Sequence, residues 1–344
     1  MISEMGADVN KKEKLKALFR STTARTRRDV EFERSFLEFT PGIGEEALAR
    51  LNELFPRRVK LSQKQKSAFM IDLAWSSSRL EGNSYTQLDT IKLLSYGTVS
   101  PNATAEDTQM IINHKHAFEL VRNTSEISLN MLKELHRCIA DPGAITGVTR
   151  HFVQSHELGL IRDTQNISIT NTAYNPPSFS PGAGMEKIHD LIDYAVKTAR
   201  EIENPIEAAF YILTRIPYIQ AFYDCNKRVS RVMANIPLLT NNFMPISYEI
   251  LAKNEHAEAL LSIYEFLDTE IFRDLFISAY IDSCLKYYPI SKKINHIVNM
   301  DLTGYQTDLA AFALEGRSTE KVDFLLKSIS NPSESETNNY NNEL

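Results

Sequence analysis

Apolar residues recur at three- and four-residue intervals along most of this chain, which predicts a mainly α-helical protein. Phe32, Phe36 and Leu37 precede a Thr40-Pro41-Gly42 break, after which Ala47, Leu48, Leu51 and Leu54 fall on one helical face. A second helix is expected from about Ser62 to Leu80, with Phe69, Leu73, Ser76, Ser77 and Leu80 on related faces. Gly82 and Asn83 close it as a C-cap pair. The pattern repeats from Leu88 to Leu94, from Glu106 to Val121 and from Leu129 to Ala140, where Asp141-Pro142-Gly143 stops it. Further helices are expected from Met185 to Ile202 and from Pro205 to Tyr218, the latter capped by Asn204. Two more are read from about Arg228 to Ile236, where Pro237 intervenes, and as one long helix from Ala257 to Tyr287. Between Gly147 and Phe179 the texture changes. Ile167-Ser168-Ile169-Thr170 alternates with a period of two and Tyr174-Asn175-Pro176-Pro177 punctuates it, which predicts a short hairpin.

These elements divide the chain into an arm (1–30), an N-terminal helical region (31–104), a core domain (105–250), C-terminal helices (251–330) and a tail (331–344). The first 28 residues carry eight basic and three acidic side chains, the pattern of a solvated arm or of a contact with an anionic surface. The tail is Ser, Glu and Asn with almost no apolar content, so it is expected to stay disordered. Such acidic polar tails also occur on secreted bacterial effectors. Hydrophobic residues make up 43% of the 344, enough for a real core. A net charge of -6 argues against general nucleic-acid binding, which wants a basic face. Cys138, Cys225 and Cys284 form no CxxC pair and read as reduced thiols of a cytoplasmic-type compartment. Arg215 interrupts the most apolar stretch, Ala208 to Phe222, so no membrane span is expected. The N-terminus has no apolar run of the secretory kind.

The densest chemistry lies at residues 220 to 231, Gln-Ala-Phe-Tyr-Asp-Cys-Asn-Lys-Arg-Val-Ser-Arg. A loop here runs into an apolar helix (Val229, Val232, Met233, Ile236), and a helix N-terminus presents unpaired N–H groups and partial positive charge to anions. The amides of Cys225 to Arg228 are placed to form such a cradle. Arg228 and Arg231 are three apart on one face, and their planar forks suit phosphate oxygens. Asp224 is the natural ligand for Mg²⁺, which binds through one or two carboxylates plus substrate phosphates. Asn226 can orient a phosphate or its own turn. An isolated Asp-x-Asn-x-Arg is equally the sequence of a capped loop with solvated arginines.

The segment resembles the signature of the Fic/Doc family, His-x-Phe-x-Asp-Gly-Asn-Gly-Arg-x-x-Arg. Phe222, Asp224, Asn226, Arg228 and Arg231 match in register, whereas Gln220 stands at the catalytic His. Residues 69 to 86 resemble the family's N-terminal inhibitory helix, Ser/Thr-x-x-x-Glu-Gly/Asn, with Ser77, Glu81 and Gly82 at its fixed positions. His114 to Phe118, Leu132 to His136, Gly147-Val148-Thr149-Arg150 and the flap from Asn166 to Pro177 follow in the family's order. Together the resemblance covers roughly residues 40 to 250. It implies a mainly α Fic fold, ATP with Mg²⁺, and transfer of AMP to a Ser, Thr or Tyr hydroxyl of a target protein. It also implies that Asn226, Lys227, Arg228 and Arg231 hold the nucleotide, that Asp224 holds the metal, and that Glu81 pairs with Arg231 to block the γ-phosphate position.

Gln220 cannot serve as the base, because a neutral amide is too weak, and losing a positioned base costs a factor of about 10²–10⁴. Cys225 and Lys227 replace glycines and resemble the Asp-Ala-Asn-Lys-Arg form of the Doc branch, in which the lysine accompanies a reversed nucleotide and phosphate transfer. The leading expectation is a nucleotide-binding protein with AMP transfer weak or absent. The competing expectations are a transferase of altered chemistry and a non-catalytic interaction module. Other imidazoles (His114, His116, His136, His151) are expected in core or surface roles. Tyr218 and Tyr223 flank Gln220 and could reach the pocket, but a phenol of pKa about 10 is a poor base at neutral pH.

Overall fold

The computed structural model describes residues 29–330 except 57, 59, 148, 163–166, 170–171 and 179–186. The basic arm up to residue 28, the polar tail, Val148 and the Asn166 end of the expected flap lie outside the described residues. Helices dominate, as the periodicity predicts. The first is α1 (Glu45–Leu54) and the second α2 (Gln63–Leu80). Ser62 caps α2 in a capping box with Gln65, which satisfies two orphan backbone donors reciprocally. Then come α3 (Gln87–Tyr96), α4 (Ala105–Val121), α5 (Leu129–Ala140) and α6 (Ile188–Glu201).

Around α7 (Pro205–Ile219) the rest is assembled. All fifteen of its residues are buried, and α6, α8 (Asn226–Met233), α9 (Asn235–Thr240) and α10 (Lys253–Phe266) pack against it. A helix apolar on every side belongs in the middle. Its two charged residues are both satisfied there. Arg215 donates from Nε to the Phe36 carbonyl at 3.1 Å and lies over the Phe36 ring at 4.1 Å. Glu207 accepts from the backbone N–H groups of Gly42, Ile43 and Gly44 at 2.9, 3.0 and 2.9 Å. That carboxylate thereby fastens the Thr40-Pro41-Gly42 break to the first turn of α7. A Cβ at Gly42 would stand 2.2 Å from the Phe210 ring, so the close approach requires glycine.

Beyond α10 lie α11 (Glu270–Tyr287), α12 (Lys292–Met300), α13 (Leu302–Glu315) and α14 (Glu320–Ser330). Helices α13 and α14 fold back onto α1, and the end of α11 bonds to α2. Gln65 Nε2 donates to the Tyr287 carbonyl at 3.2 Å, Tyr287 OH donates to Asp72, and Lys286 Nζ pairs with Asp72 at 2.6 Å. No helix among the described residues is long and apolar enough to cross a membrane.

Two expectations are corrected. The long helix from Ala257 to Tyr287 is two helices, because Leu267 turns left-handed (φ 57) and Asp268 N donates back to the Ser262 carbonyl at 3.3 Å. This closure usually takes glycine, so the sequence carries no mark of it. Pro237 does not end a helix; it sits in the first turn of α9, where its missing N–H breaks no bond. The expected hairpin includes residues 170–171 and so lies partly outside the described residues. Among the described residues the small sheet is formed by β2 (Tyr174–Asn175), paired in parallel with β1 (Val30–Glu31), Val30 facing Tyr174. A pairing between segments more than 140 residues apart leaves no local turn signal.

Glu207→Ala should destabilise the protein by about 3 kcal/mol or more, since three backbone donors lose a charged acceptor. A urea melt checks this; an unchanged midpoint would mean that the 42–44 loop does not depend on the carboxylate.

Candidate functional site

The site begins where α7 ends. Gln220 takes a left-handed conformation (φ 52), and Cys225 does so again (φ 65) immediately before α8. Such a conformation costs a non-glycine residue roughly 1–2 kcal/mol, so both turns need external holding. Phe222 supplies the apolar anchor, fully buried with its ring stacked on His136 at 3.9 Å. Asn226 works from within: its Oδ1 accepts from Phe222 N at 3.0 Å, and its Nδ2 donates to the Phe222 carbonyl at 2.9 Å and to Gln220 Oε1 at 3.1 Å. Of the two uses open to Asn226 from sequence, these bonds serve its own turn. Arg162, which the sequence did not single out, clamps the loop from outside. Its backbone N donates to the Ala221 carbonyl at 2.9 Å, its Nε to the Gln220 carbonyl at 2.5 Å and its Nη2 to the Pro177 carbonyl at 2.7 Å.

Gln220 is a buried structural amide in this arrangement. Its Nε2 donates to the Pro217 carbonyl at 2.7 Å and to Tyr264 OH at 3.3 Å, while Oε1 accepts from Asn226. Tyr218, one of the two phenols that flank Gln220, is engaged elsewhere. Its hydroxyl accepts from Glu33 N at 2.8 Å and its ring stacks on Tyr174. Burial pushes the Tyr218 phenol up to about 12.

The first helical bond of α8 runs from Val229 N to the Cys225 carbonyl at 2.9 Å, so the Asn226, Lys227 and Arg228 amides stand at the open end of the helix. Asp224 lies at this end with its side chain half exposed. One oxygen accepts from Cys225 N at 2.5 Å and the other from Arg228 Nη2 at 3.3 Å. The Cys225 thiol is buried, and burial pushes it up well beyond ordinary thiol values, which favours the protonated thiol.

Arg231 is almost fully buried at the meeting of α8 and α2. Its Nε donates to Ser77 Oγ at 2.9 Å, and its Nη2 donates to the Ser77 carbonyl at 3.1 Å and to Glu81 Oε1 at 2.6 Å. Lys227 Nζ stands 3.4 Å from the other Glu81 oxygen. Burial raises the affinity of Glu81 for a proton, but the Lys227, Arg231 and Arg228 charges more than offset it and hold the carboxyl well below its usual range. The folded pKa being depressed, the contribution of this charge is present above about pH 4.5 and is lost only as pH falls further, through the folded value. Gly82 follows with φ 95, a left-handed turn, and Lys253 Nζ stands 2.6 Å from where a Cβ would be. The turn demands glycine there.

Two guanidinium nitrogens, Arg228 Nη1 and Arg231 Nη1, are buried without a hydrogen-bond partner among the described residues. Buried donors left unmade are costly, and two positively charged ones on the helix whose N-terminal amides are open suit an anion in charge. Among the described residues no three His, Cys, Asp or Glu side chains cluster to hold a metal. A single exposed carboxylate, Asp224, is nevertheless what Mg²⁺ needs when phosphates supply its other ligands. Burial holds the imidazoles of His114, His136 and His256 down to about 3, which makes them neutral and poor bases. His151 is half-buried, its carbonyl 3.7 Å from Cys225 Sγ, and burial and Arg228 lower its pKa too.

Residues 126–238, which contain this loop and both arginines, match the model of the Fic/DOC family. Protein adenylyltransferase fic-1 of Caenorhabditis elegans is 25% identical over 190 residues, 53% of this chain and 34% of that one. The Caenorhabditis briggsae protein of the same name is 24% identical over the same shares. The match thus spans about a third of these relatives' length. A solved fragment of Fic-1 from C. elegans superposes with a TM-score of 0.52 at 17% identity, covering 74% of this chain and 70% of that one. The fold around α7 is therefore the helical Fic fold, and residues 126–238 are similar to the Fic/DOC family, with distant similarity to protein adenylyltransferase fic-1.

Proposed function

We propose that this chain binds a nucleotide with Mg²⁺ at the N-terminus of α8, and that AMP transfer to protein hydroxyls is suppressed in it twice over. The observation that carries this reading is the pair of buried, unpartnered Nη1 donors on Arg228 and Arg231. In this reading they face phosphate oxygens, the amides of Asn226 to Arg228 add the helix dipole, and Asp224 holds the metal. Bound there, Mg²⁺ supplies charge neutralisation and orientation of the phosphates. Lys227, on the exposed side of α8, adds a further cation.

The first suppression is Glu81. Its carboxylate takes Arg231 Nη2 and neighbours Lys227, two of the cations that a γ-phosphate would need. A carboxylate there also repels a phosphate directly. The second suppression is Gln220, which stands where the family's base stands and has committed its amide to Pro217, Tyr264 and Asn226. An incoming hydroxyl finds no proton acceptor at that position.

Arg228→Ala should weaken binding of ATP with Mg²⁺ by about 1.5–3 kcal/mol, the range for hydrogen bonds to charged groups. Titration calorimetry reads this. Equal affinities would remove the phosphate pocket, and a parent that binds no nucleotide at millimolar concentration would leave an interaction module instead.

Glu81→Gly should tighten ATP more than AMP, since AMP has no γ-phosphate to meet the carboxylate. An identical change for both nucleotides would make Glu81 an ordinary helix-end residue.

Gln220→His combined with Glu81→Gly should raise self-labelling from α-labelled ATP above either single variant. Label from γ-labelled ATP would instead support the reversed, Doc-like orientation. No label from either, in a double variant shown to bind ATP, would reduce the protein to a binding module without latent transfer.

A further inference from the structure

Ser77 and Glu81 hold Arg231, but Ser77 is itself directed by a residue of a third helix. His114 lies on α4 and is 1% exposed. Its Nδ1 is 2.8 Å from the Met110 carbonyl, one turn back, and its Nε2 is 2.9 Å from Ser77 Oγ. We propose that His114 is a positioning residue for the Glu81–Arg231 pair, its tautomer turning the Ser77 hydroxyl so that the oxygen's lone pairs face Arg231. The proposal deepens the reading of Glu81 given above.

The direction of each bond follows from what the partners can do. A carbonyl oxygen only accepts, so Nδ1 must carry the proton that points at Met110. Full burial keeps the ring neutral, so there is one ring proton and Nε2 is a bare acceptor. The Ser77 hydroxyl has a single proton and gives it to Nε2. Its lone pairs are then left for Arg231 Nε, which donates to Ser77 Oγ at 2.9 Å. Ser78 Oγ, 3.2 Å from Nδ1, accepts a share of the same ring proton. The relay therefore runs one way, from Arg231 through Ser77 and His114 to the Met110 carbonyl.

The consequence lies in the geometry of the guanidinium fork. With Nε fixed on Ser77 Oγ, the planar group must place Nη2 between the Ser77 carbonyl and Glu81 Oε1, where it is found. Arg231 cannot turn from Glu81 toward a phosphate without also breaking its bond to Ser77. A serine in a helix otherwise has a competing use for its hydroxyl, donation to the carbonyl one turn back. His114 removes that option by offering a better-placed acceptor. Without an acceptor at this point, the fork loses one of its fixed ends and is freer to leave Glu81.

Nitrogen-15 NMR of the nucleotide-free protein tests the relay first. The His114 ring, identified by its loss in His114→Leu, should show the Nδ1–H tautomer, and the Arg231 Nε–H should be protected from solvent exchange. Protection should fall in His114→Leu and persist in His114→Gln, whose amide oxygen can replace Nε2 as acceptor. Nucleotide titration comes second. His114→Leu should raise the ratio of ATP to AMP affinity by about 2- to 10-fold, the range for one neutral hydrogen bond. His114→Gln should keep the parent ratio, and His114→Leu should add nothing to Glu81→Gly. An Nε2–H tautomer, or Arg231 protection equal in the parent and the Leu variant, overturns the proposal whatever the nucleotides do. If Glu81→Gly leaves the ratio unchanged while the nucleotide-free signatures hold, the γ-phosphate reading of Glu81 fails and the positioning of Arg231 stands. A Leu variant that fails to fold leaves the tautomer of the parent to decide.

Discussion

Much of this molecule's arrangement converges on one buried guanidinium. Arg231 joins three helices that are distant in sequence: α8, which carries it; α2, through Ser77 and Glu81; and α4, through Ser77 and His114. A charge this deep must be compensated, because an uncompensated one costs several kcal/mol. Glu81 provides the compensation, and its 2.6 Å charge-assisted bond is short because little water competes for it. One nitrogen of the same group, Nη1, remains without a partner. Compensation of its donors is therefore incomplete among the described residues.

The helix that brings Glu81 is fixed rather than loosely docked. At its C-terminal end Arg79 Nη2 donates to the Glu249 and Leu251 carbonyls at 2.6 and 2.9 Å. Toward its N-terminal end Gln65 and Asp72 bond to the end of α11, and Phe69 packs edge-on against Tyr287. Glu81 therefore keeps its place through the packing of the whole C-terminal half. Moving it by a rigid shift would disturb the core, whereas turning Arg231 would disturb only two or three hydrogen bonds. Release of the pair is accordingly easier at the arginine than at the helix.

The loop between α7 and α8 follows a different rule. Two non-glycine residues in left-handed conformations, Gln220 and Cys225, bracket it. Glycine at the second would carry no such strain, so Cys225 is tolerated because the thiol packs in the core and reaches the His151 carbonyl. Gln220 is tolerated because its amide and its carbonyl are both bonded, the first to Pro217, Tyr264 and Asn226 and the second to Arg162. The side chain and carbonyl at position 220 thus act together as a structural clamp.

What the sequence determined by itself is most of the helices and the order of the candidate site residues. The limits of α5 and the start of α7 at Pro205 follow from local periodicity and caps, which act within a few residues. The resemblance at 220–231 was legible because its residues are contiguous, and they lie within the family match over 126–238. What only the tertiary structure decided is what those residues touch. The inward turn of Asn226, the diversion of Tyr218 to Glu33, the parallel pairing of residues 30–31 with 174–175, and the left-handed break at Leu267 have no local signature. Nor did Arg162 or the relay through His114, since a lone arginine or a helical histidine reads the same wherever it points. Hydrogen bonds are set by distances of a few ångströms between segments up to 185 residues apart, and a linear pattern carries no such distance.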